Sequence, residues 1–332
     1  MSVFNFKRLL GIGAICVVGA MPMQAAQAAP QHVFTLGSVG APTAPESAGL
    51  RAMADYVKKN SGDRIEIKLE LSGALGGERE MLEGVQLGTV DLEFLSTAVI
   101  GNFDPGIQIL DTPFLYKNLD QAQAVLSGPI GDKLLSKFAD YGFVGLALGG
   151  NGFRQLTNNA RQVSSPSDVK GLKLRTMENP IYVDVWKTLG ALPTPMSITE
   201  VYSALQQGVV DGQENPVGAI INNRFDEVQK YVSILNYAFN SAAIVMAPSS
   251  YGDLSEADQK VVRDGAKLAM KVTFEKVAEI QKTGIQRLEK EGLKVDQTVD
   301  VDAFRKQLAP VYDSLYKRFG EADIKAIQDY KQ

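Results

Sequence analysis

The sequence predicts an α/β protein. Three observations carry that prediction: strand and helix patterns alternate along the chain after about residue 29, the strand segments alternate apolar and polar residues or form short apolar runs, and the helical segments place apolar residues three and four apart. Val33-Phe34-Thr35-Leu36 reads as a short strand, followed by a helix from about Glu46 to Asn60 with a stripe of Leu50, Met53, Ala54 and Val57. Ser61-Gly62 stops it. From Arg64 to Leu71, Ile65, Ile67, Leu69 and Leu71 alternate with Glu66, Lys68 and Glu70, a half-buried strand that completes a β-α-β unit. A second helix is expected from about Glu78 to Leu87, ended by Gly88, and Asp91 to Ser96 returns as a strand. Phe143 to Leu148 is a further strand. It runs into Gly149-Gly150-Asn151-Gly152, which reads as a crossover between layers or lobes, since it lacks the G-x-G-x-x-G spacing and the lysine of a phosphate-cradling turn.

Beyond the crossover, Gly171 to Arg175 is a short strand and Asn179-Pro180 a helix start, with proline at the first helical position. Tyr182, Val185, Trp186 and Leu189 share one face of that helix and Gly190 closes it. Ser197-Ile198-Thr199-Glu200 has capping-box spacing, with Ile198, Val201, Tyr202 and Leu205 as the buried face of the next helix. The segment ends at Gly208, and Val209-Val210 begins a strand leading to Asn215-Pro216, where the proline holds Asn215 extended and fixes where its amide points. Ser255 to about Glu291 is helical but punctured by Gly265 and Gly284, so one long helix or two broken at a glycine both fit. The charged helical tail from Asp302 to Tyr330 reads as a solvated face. No internal repeats stand out.

Composition narrows the function. Lys7-Arg8, the apolar run Leu9 to Met21 and Gln24-Ala25-Ala26-Gln27-Ala28-Ala29 read as a signal peptide with cleavage near Ala28. The run is shorter than a spanning helix needs, and no later segment is long and uncharged enough to cross a bilayer. Cys16, the single cysteine, lies in the leader behind the bulky Ile15, so neither a lipid anchor nor a disulfide is expected in the mature chain. Removing residues 1–28 from the 332 leaves about 304, enough for two domains or one large one, and moves the net charge from −4 to about −6. That acidic balance argues against nucleic acid and anionic membranes as partners. The single histidine, His32, sits near the mature terminus. Histidine bases, Cys-His or Ser-His pairs and zinc clusters are therefore unavailable to the interior, and a binding protein without cofactor or metal is expected rather than an enzyme.

Ligands of open α/β sheets sit beyond the carboxyl ends of strands, which nominates Arg175 and, just past the glycine cluster, Arg154. A guanidinium fork matches a carboxylate bidentately, so two converging arginines would select an anion. Surface or inter-strand ion pairs are the plainer reading of both, and Asn215 could equally cap a turn.

A longer pattern decides between these readings. The run Gly152-Phe153-Arg154-Gln155-Leu156-Thr157-Asn158, then Gly171 to Arg175, Leu189-Gly190-Ala191 through Pro193-Thr194-Pro195-Met196, and above all Glu200 to Pro216, resembles the solute-binding proteins of tripartite ATP-independent periplasmic (TRAP) transporters. The resemblance continues upstream through Leu75 to Glu80, Gln86 to Asp91 and Pro113 to Tyr116, and so covers essentially the whole mature chain.

The resemblance implies a two-lobed periplasmic binding protein with a cleft between the lobes and a long helix spanning both. It implies lobe one at residues 29–151 plus 241–280 and lobe two at 152–240 plus 281–332. It places the carboxylate-clamping arginine on Arg175, a supporting arginine on Arg154 and the carboxylate-bonding asparagine on Asn215. Glu78 falls where relatives that bind polyhydroxylated acids put a polar side chain, with Ser96, Thr97, Asn151 and Gln155 as further polar partners. Tyr237 stands where many members have histidine and Ile198 where many have an aromatic residue, both on the expected pocket wall. The neighbourhood Phe94 to Thr97 lacks the acidic residue of sialic-acid binders. The implied function is delivery of a small organic acid to membrane subunits by a monomer. A sugar acid such as a uronate is favoured over a C4-dicarboxylate or keto acid, and a ligand-presenting sensor or an extracytoplasmic enzyme on the same fold are the alternatives.

Overall fold

Period-two strands and amphipathic helices can bury their apolar sides only against one another. The computed structural model describes residues 29–331 and shows how they do so, while the expected leader and its cleavage point lie outside the described residues. The first half runs His32–Ser38 (β1), Pro45–Asn60 (α1), Ile65–Glu70 (β2), Glu78–Leu87 (α2), Leu92–Ser96 (β3), Thr97–Ile100 (α3), Leu119–Leu126 (α4), Pro129–Leu135 (α5) and Val144–Asn158 (β4). On β2, Ile65 and Ile67 are buried while Lys68 is exposed, and α1 buries Leu50, Met53 and Val57. The glycine cluster does not interrupt β4, which runs as one strand of 15 residues straight through it. The expected crossover is made within the strand, at a bulge: the pairing register shifts between Gly150 and Phe153, and Gly152 takes a φ of 108° that a side chain would strain.

The second half continues with Lys173–Thr176 (β5), Pro180–Thr188 (α6), Leu192–Pro195 (β6), Ile198–Gln206 (α7), Gly212–Pro216 (β7), Val217–Asn222 (α8), Tyr231–Ser233 (β8) and Phe239–Met246 (β9). Then come Pro248–Gly252 (α9), Glu256–Lys290 (α10), Lys294–Asp296 (β10), Val301–Gln307 (α11), Ala309–Phe319 (α12) and Glu321–Gln328 (α13). Asn179 caps α6 by accepting from the Ile181 amide at 2.8 Å. The capping box expected at α7 does not form: the Ser197 hydroxyl lies 3.0 Å from Thr199 Oγ1, Ser197 makes no side-chain cap bond to the helix, and Glu200 is exposed. Val209 is exposed in the connecting turn, so the strand expected there begins later, at Gly212.

The strands order as β2-β1-β3-β9-β4-β7-β5-β6, with β8 beside β4 and β10 beside β8. β1, β2 and β3 run parallel in one group, β5, β6 and β7 in the other, and the antiparallel strands β9 and β4 join them. β4 pairs with β9 along its first half and exchanges to β7 and β8 from Arg154 onward, so it passes from one lobe to the other. The two groups repeat one connection: β1-α1-β2-α2-β3 matches β5-α6-β6-α7-β7. Even the turns agree, because Gly88 and Gly208 both take positive φ and Asp91 and Asp211 each accept a backbone amide of the neighbouring strand, Thr35 at 2.9 Å and Lys173 at 2.9 Å. An internal repeat is thus present where the residue pattern showed none. It survives in backbone geometry and a few turn residues rather than in overall sequence.

α10 is a single helix of 35 residues. Its glycines mark close approaches, not breaks. A Cβ on Gly265 would come within 2.8 Å of Val57 of α1, and one on Gly284 within 2.5 Å of Val217 of α8. The helix therefore braces both lobes. The tail is not merely a solvated face: Phe304, Leu308, Val311, Leu315, Ile324 and Ile327 are buried. α12 packs on α6, whereas α13 ends on α4, where the Gln121 carboxamide nitrogen donates to the carbonyls of Ile327, Gln328 and Tyr330 at 3.3, 2.9 and 3.2 Å. Among the described residues, no helix is long and apolar enough to cross a membrane.

Candidate ligand-binding site

The carboxyl ends of the parallel strands in the two lobes face each other across one cavity of about 470 Å³, part of it open to solvent. Lobe one contributes Gly40 after β1, Glu46 in the first turn of α1, Glu78 at the start of α2 and Ser96 at the end of β3. Asn151, Arg154 and Asn240 come from the connecting strands, and Arg175, Met177, Ile198, Asn215 and Asn223 from lobe two. The lobes touch around the rim. Thr43 Oγ1 donates to Asn222 Oδ1 at 2.8 Å and the Asn102 amide to the Glu178 carbonyl at 2.6 Å.

Seven of the ten residues nominated from the sequence, Arg175, Arg154, Asn215, Glu78, Ser96, Asn151 and Ile198, line this cavity together. Tyr237 does not. Its hydroxyl donates to Glu214 Oε2 at 2.6 Å and its ring packs edge-on against Trp186, so it is wholly buried behind Arg154 as a polar core residue rather than on the wall. Thr97 and Gln155 also turn away. Thr97 donates to the Ser241 carbonyl, and the Gln155 amide is used up on Phe153, Leu235 and Asn236.

The two arginines differ in what surrounds them. Arg154 is fully buried and its fork is satisfied: Nε and Nη2 donate to the Glu214 carboxylate and Nη1 to Asn240 Oδ1 at 2.6 Å. Burial alone would lower its pKa, but Glu214 outweighs that and raises it. Arg175 is 2% exposed; Nε and Nη2 both donate to the Met196 carbonyl at 3.0 and 2.7 Å, while buried Nη1 has no hydrogen-bond partner among the described residues. Burial, reinforced by Arg154, lowers its pKa to about 10, which leaves it charged at neutral pH. A buried cation with an unused donor calls for an anion.

The lobe-one side is acidic. Glu78 Oε1 accepts from the amide and hydroxyl of Ser96 at 2.9 and 3.1 Å, and its pKa is raised by burial. Burial pushes Glu46 up to about 7, with Glu78 adding to the rise. Behind them Glu93 is wholly buried, its oxygens without hydrogen-bond partners among the described residues, and burial raises it well above the carboxylate range. Asn151 Oδ1 is likewise a buried acceptor with no partner among the described residues. Sequence reading missed Glu46, Asn240 and Glu214. Glu46 looked like a helix-start residue, and nothing local marks an asparagine or glutamate in a strand as facing a cavity or an arginine.

Two α/β lobes joined by paired strands, with an uncompensated buried cation in the cavity between them, define a solute-binding protein. The chain belongs to the DctP family, bacterial extracellular solute-binding protein family 7, whose model matches residues 36–318. These are the binding components of TRAP transporters, not enzymes, and they are periplasmic. A solute-binding protein of Verminephrobacter eiseniae is 40% identical over 303 residues, covering 91% of this chain and 90% of its own. A TRAP periplasmic solute-binding protein from Polaromonas sp JS666 bound to D-erythronate has a TM-score of 0.89 at 41% identity, covering 91% of this chain and 99% of that one. A second, from Bordetella bronchispeptica with density interpreted as pantoate, has a TM-score of 0.88 at 39% identity over 91% of this chain and all of that one.

Proposed function

We propose that this protein is exported, loses its leader near Ala28, and as a monomer captures a hydroxylated monocarboxylic acid of the sugar-acid type for its TRAP membrane subunits. Arg175 takes the carboxylate. The observation that carries this reading is the buried Nη1 of this cavity-lining residue, a charged donor without a partner among the described residues. Asn215 supports the same carboxylate, Arg154 holds the wall behind it, and Glu78, Ser96 and Asn151 meet ligand hydroxyls. The lobes divide at residues 29–151 plus 241–280 and 152–240 plus 281–332, a reading supported by the exchange of β4 partners at Arg154. A uronate fits these polar groups. D-erythronate and pantoate, held by the relatives from Polaromonas and Bordetella, share a four-carbon chain with hydroxyls on its second and fourth carbons, which draws the expected ligand toward shorter hydroxy acids.

A thermal-shift screen of aldonates, uronates, dicarboxylates and keto acids tests this, because a ligand bound to the native state raises the melting temperature by mass action. Hydroxylated monocarboxylates are expected to give the largest shifts. A response confined to plain dicarboxylates overturns the reading.

A further inference from the structure

The charges around the cavity are lopsided. Arg154 is neutralised by Glu214, so Arg175 is the cation left to face a ligand from lobe two. From lobe one come two carboxyl groups on the same cavity, Glu46 and Glu78, of which Glu78 disfavours ionisation of Glu46 and of the buried Glu93. Glu46 accepts no side-chain hydrogen bond among the described residues. It lies tight against the backbone of Gly40, where an added Cβ would sit 2.3 Å from its Oε1. Glu78 spends Oε1 on Ser96 and keeps Oε2 open. The lobe-one side thus offers acceptor oxygens, which suit the hydroxyl donors of a ligand, and supplies no cation of its own among the described lining residues to meet a second carboxylate.

We propose that Glu46, together with Glu78, is a specificity-determining residue that admits acids with one carboxylate and a hydroxylated far end and turns away dicarboxylates of the same length. This deepens the function proposed above and rests on Arg175 anchoring the first carboxylate. A second carboxylate beside Glu46 and Glu78 could be held only while both keep their protons, so selection is by the like-charge repulsion that sets in when either ionises.

Matched ligands test it by calorimetry. D-Erythronate and meso-tartrate differ only in whether the fourth carbon is an alcohol or a carboxylate, and galactonate and galactarate make the same comparison at six carbons. The wild-type protein is expected to prefer the monocarboxylate of the tighter-binding pair by at least about a hundredfold, and Glu46→Gln, which removes charge but keeps size, to narrow that preference by about tenfold or more. Equal wild-type affinity for both members of a pair, or an unchanged preference in Glu46→Gln, overturns the proposal. The wild-type comparison is decisive by itself should the variant not fold. Arg175→Ala separates the two readings: intact D-erythronate or galactonate affinity there sinks the anchor, as does a wild-type protein that binds none of the four acids, whereas a lost monocarboxylate with no wild-type selectivity sinks the Glu46 role alone.

Discussion

At the scale of single residues, Arg175 is defined by what it lacks, since one carbonyl takes Nε and Nη2 and nothing described takes Nη1. Each charge-assisted bond to a ligand carboxylate is worth about 1.5–3 kcal/mol, so Arg175→Ala should weaken acid binding by roughly a hundredfold or more in calorimetry. Arg175→Lys should recover little of that, because an ammonium cannot reproduce the fork. Asp111 gives a second residue-scale outcome. It is wholly buried, accepts from the Asn179 amide at 2.9 Å and the Tyr182 hydroxyl at 3.4 Å, and burial pushes its carboxyl up from 3.8 to about 7. The native state therefore holds a proton there that the unfolded chain releases, and this contribution to stability is present below about pH 4 and lost as pH rises through 7. Urea midpoints should fall between pH 5 and pH 8, and Asp111→Asn should flatten that slope in part, since Glu46 and Glu78 shift in the same direction. Asp111 was not singled out in the sequence. Its shift comes from burial, which outweighs the hydrogen bonds from Asn179 and Tyr182, and burial by distant parts of the chain is something no local pattern reports.

Elements were easier to read than their ends. Alternation placed β2, and the glycine after Leu87 placed the end of α2, because period and backbone freedom are local properties. The capping box at Ser197 failed for a tertiary reason, as that residue lies where a Cβ on Gly77 of the facing lobe would be 2.6 Å from its hydroxyl. Whether α10 was one helix or two also turned on tertiary packing. Gly265 and Gly284 cost intrinsic helix propensity, yet they let α1 and α8 approach closely enough to hold the helix together. Gly284→Val should accordingly lose about 1–3 kcal/mol through overpacking against Val217, read as a lower melting temperature with the helical circular dichroism retained.

At the scale of the molecule, two matching β-α-β-α-β lobes are tied by β4, β9, α10 and the C-terminal helices. The tail also reaches across to lobe one: α12 lies on α6, but Tyr312 donates to the Pro113 carbonyl at 2.7 Å and Gln121 gathers the last carbonyls of α13. Gln121→Leu strands those carbonyls and should lower stability by about 1–3 kcal/mol in denaturant titrations. A ligand at saturating concentration should offset much of that loss, because binding draws on the native state.

The sequence by itself determined the α/β class, the run of elements through both lobes, and the group of polar residues that meet in one cavity, since hydrophobic period, turn residues and strand ends act over a few residues at a time. It showed seven of the cavity residues through strand position and resemblance. Only the tertiary structure decided that Arg154 is already neutralised while Arg175 is not, that Tyr237 is a core residue, and that Glu46 faces the same space as Glu78. Charge compensation depends on which side chains fold to within a few ångströms of each other, and Glu214 reaches Arg154 from 60 residues away.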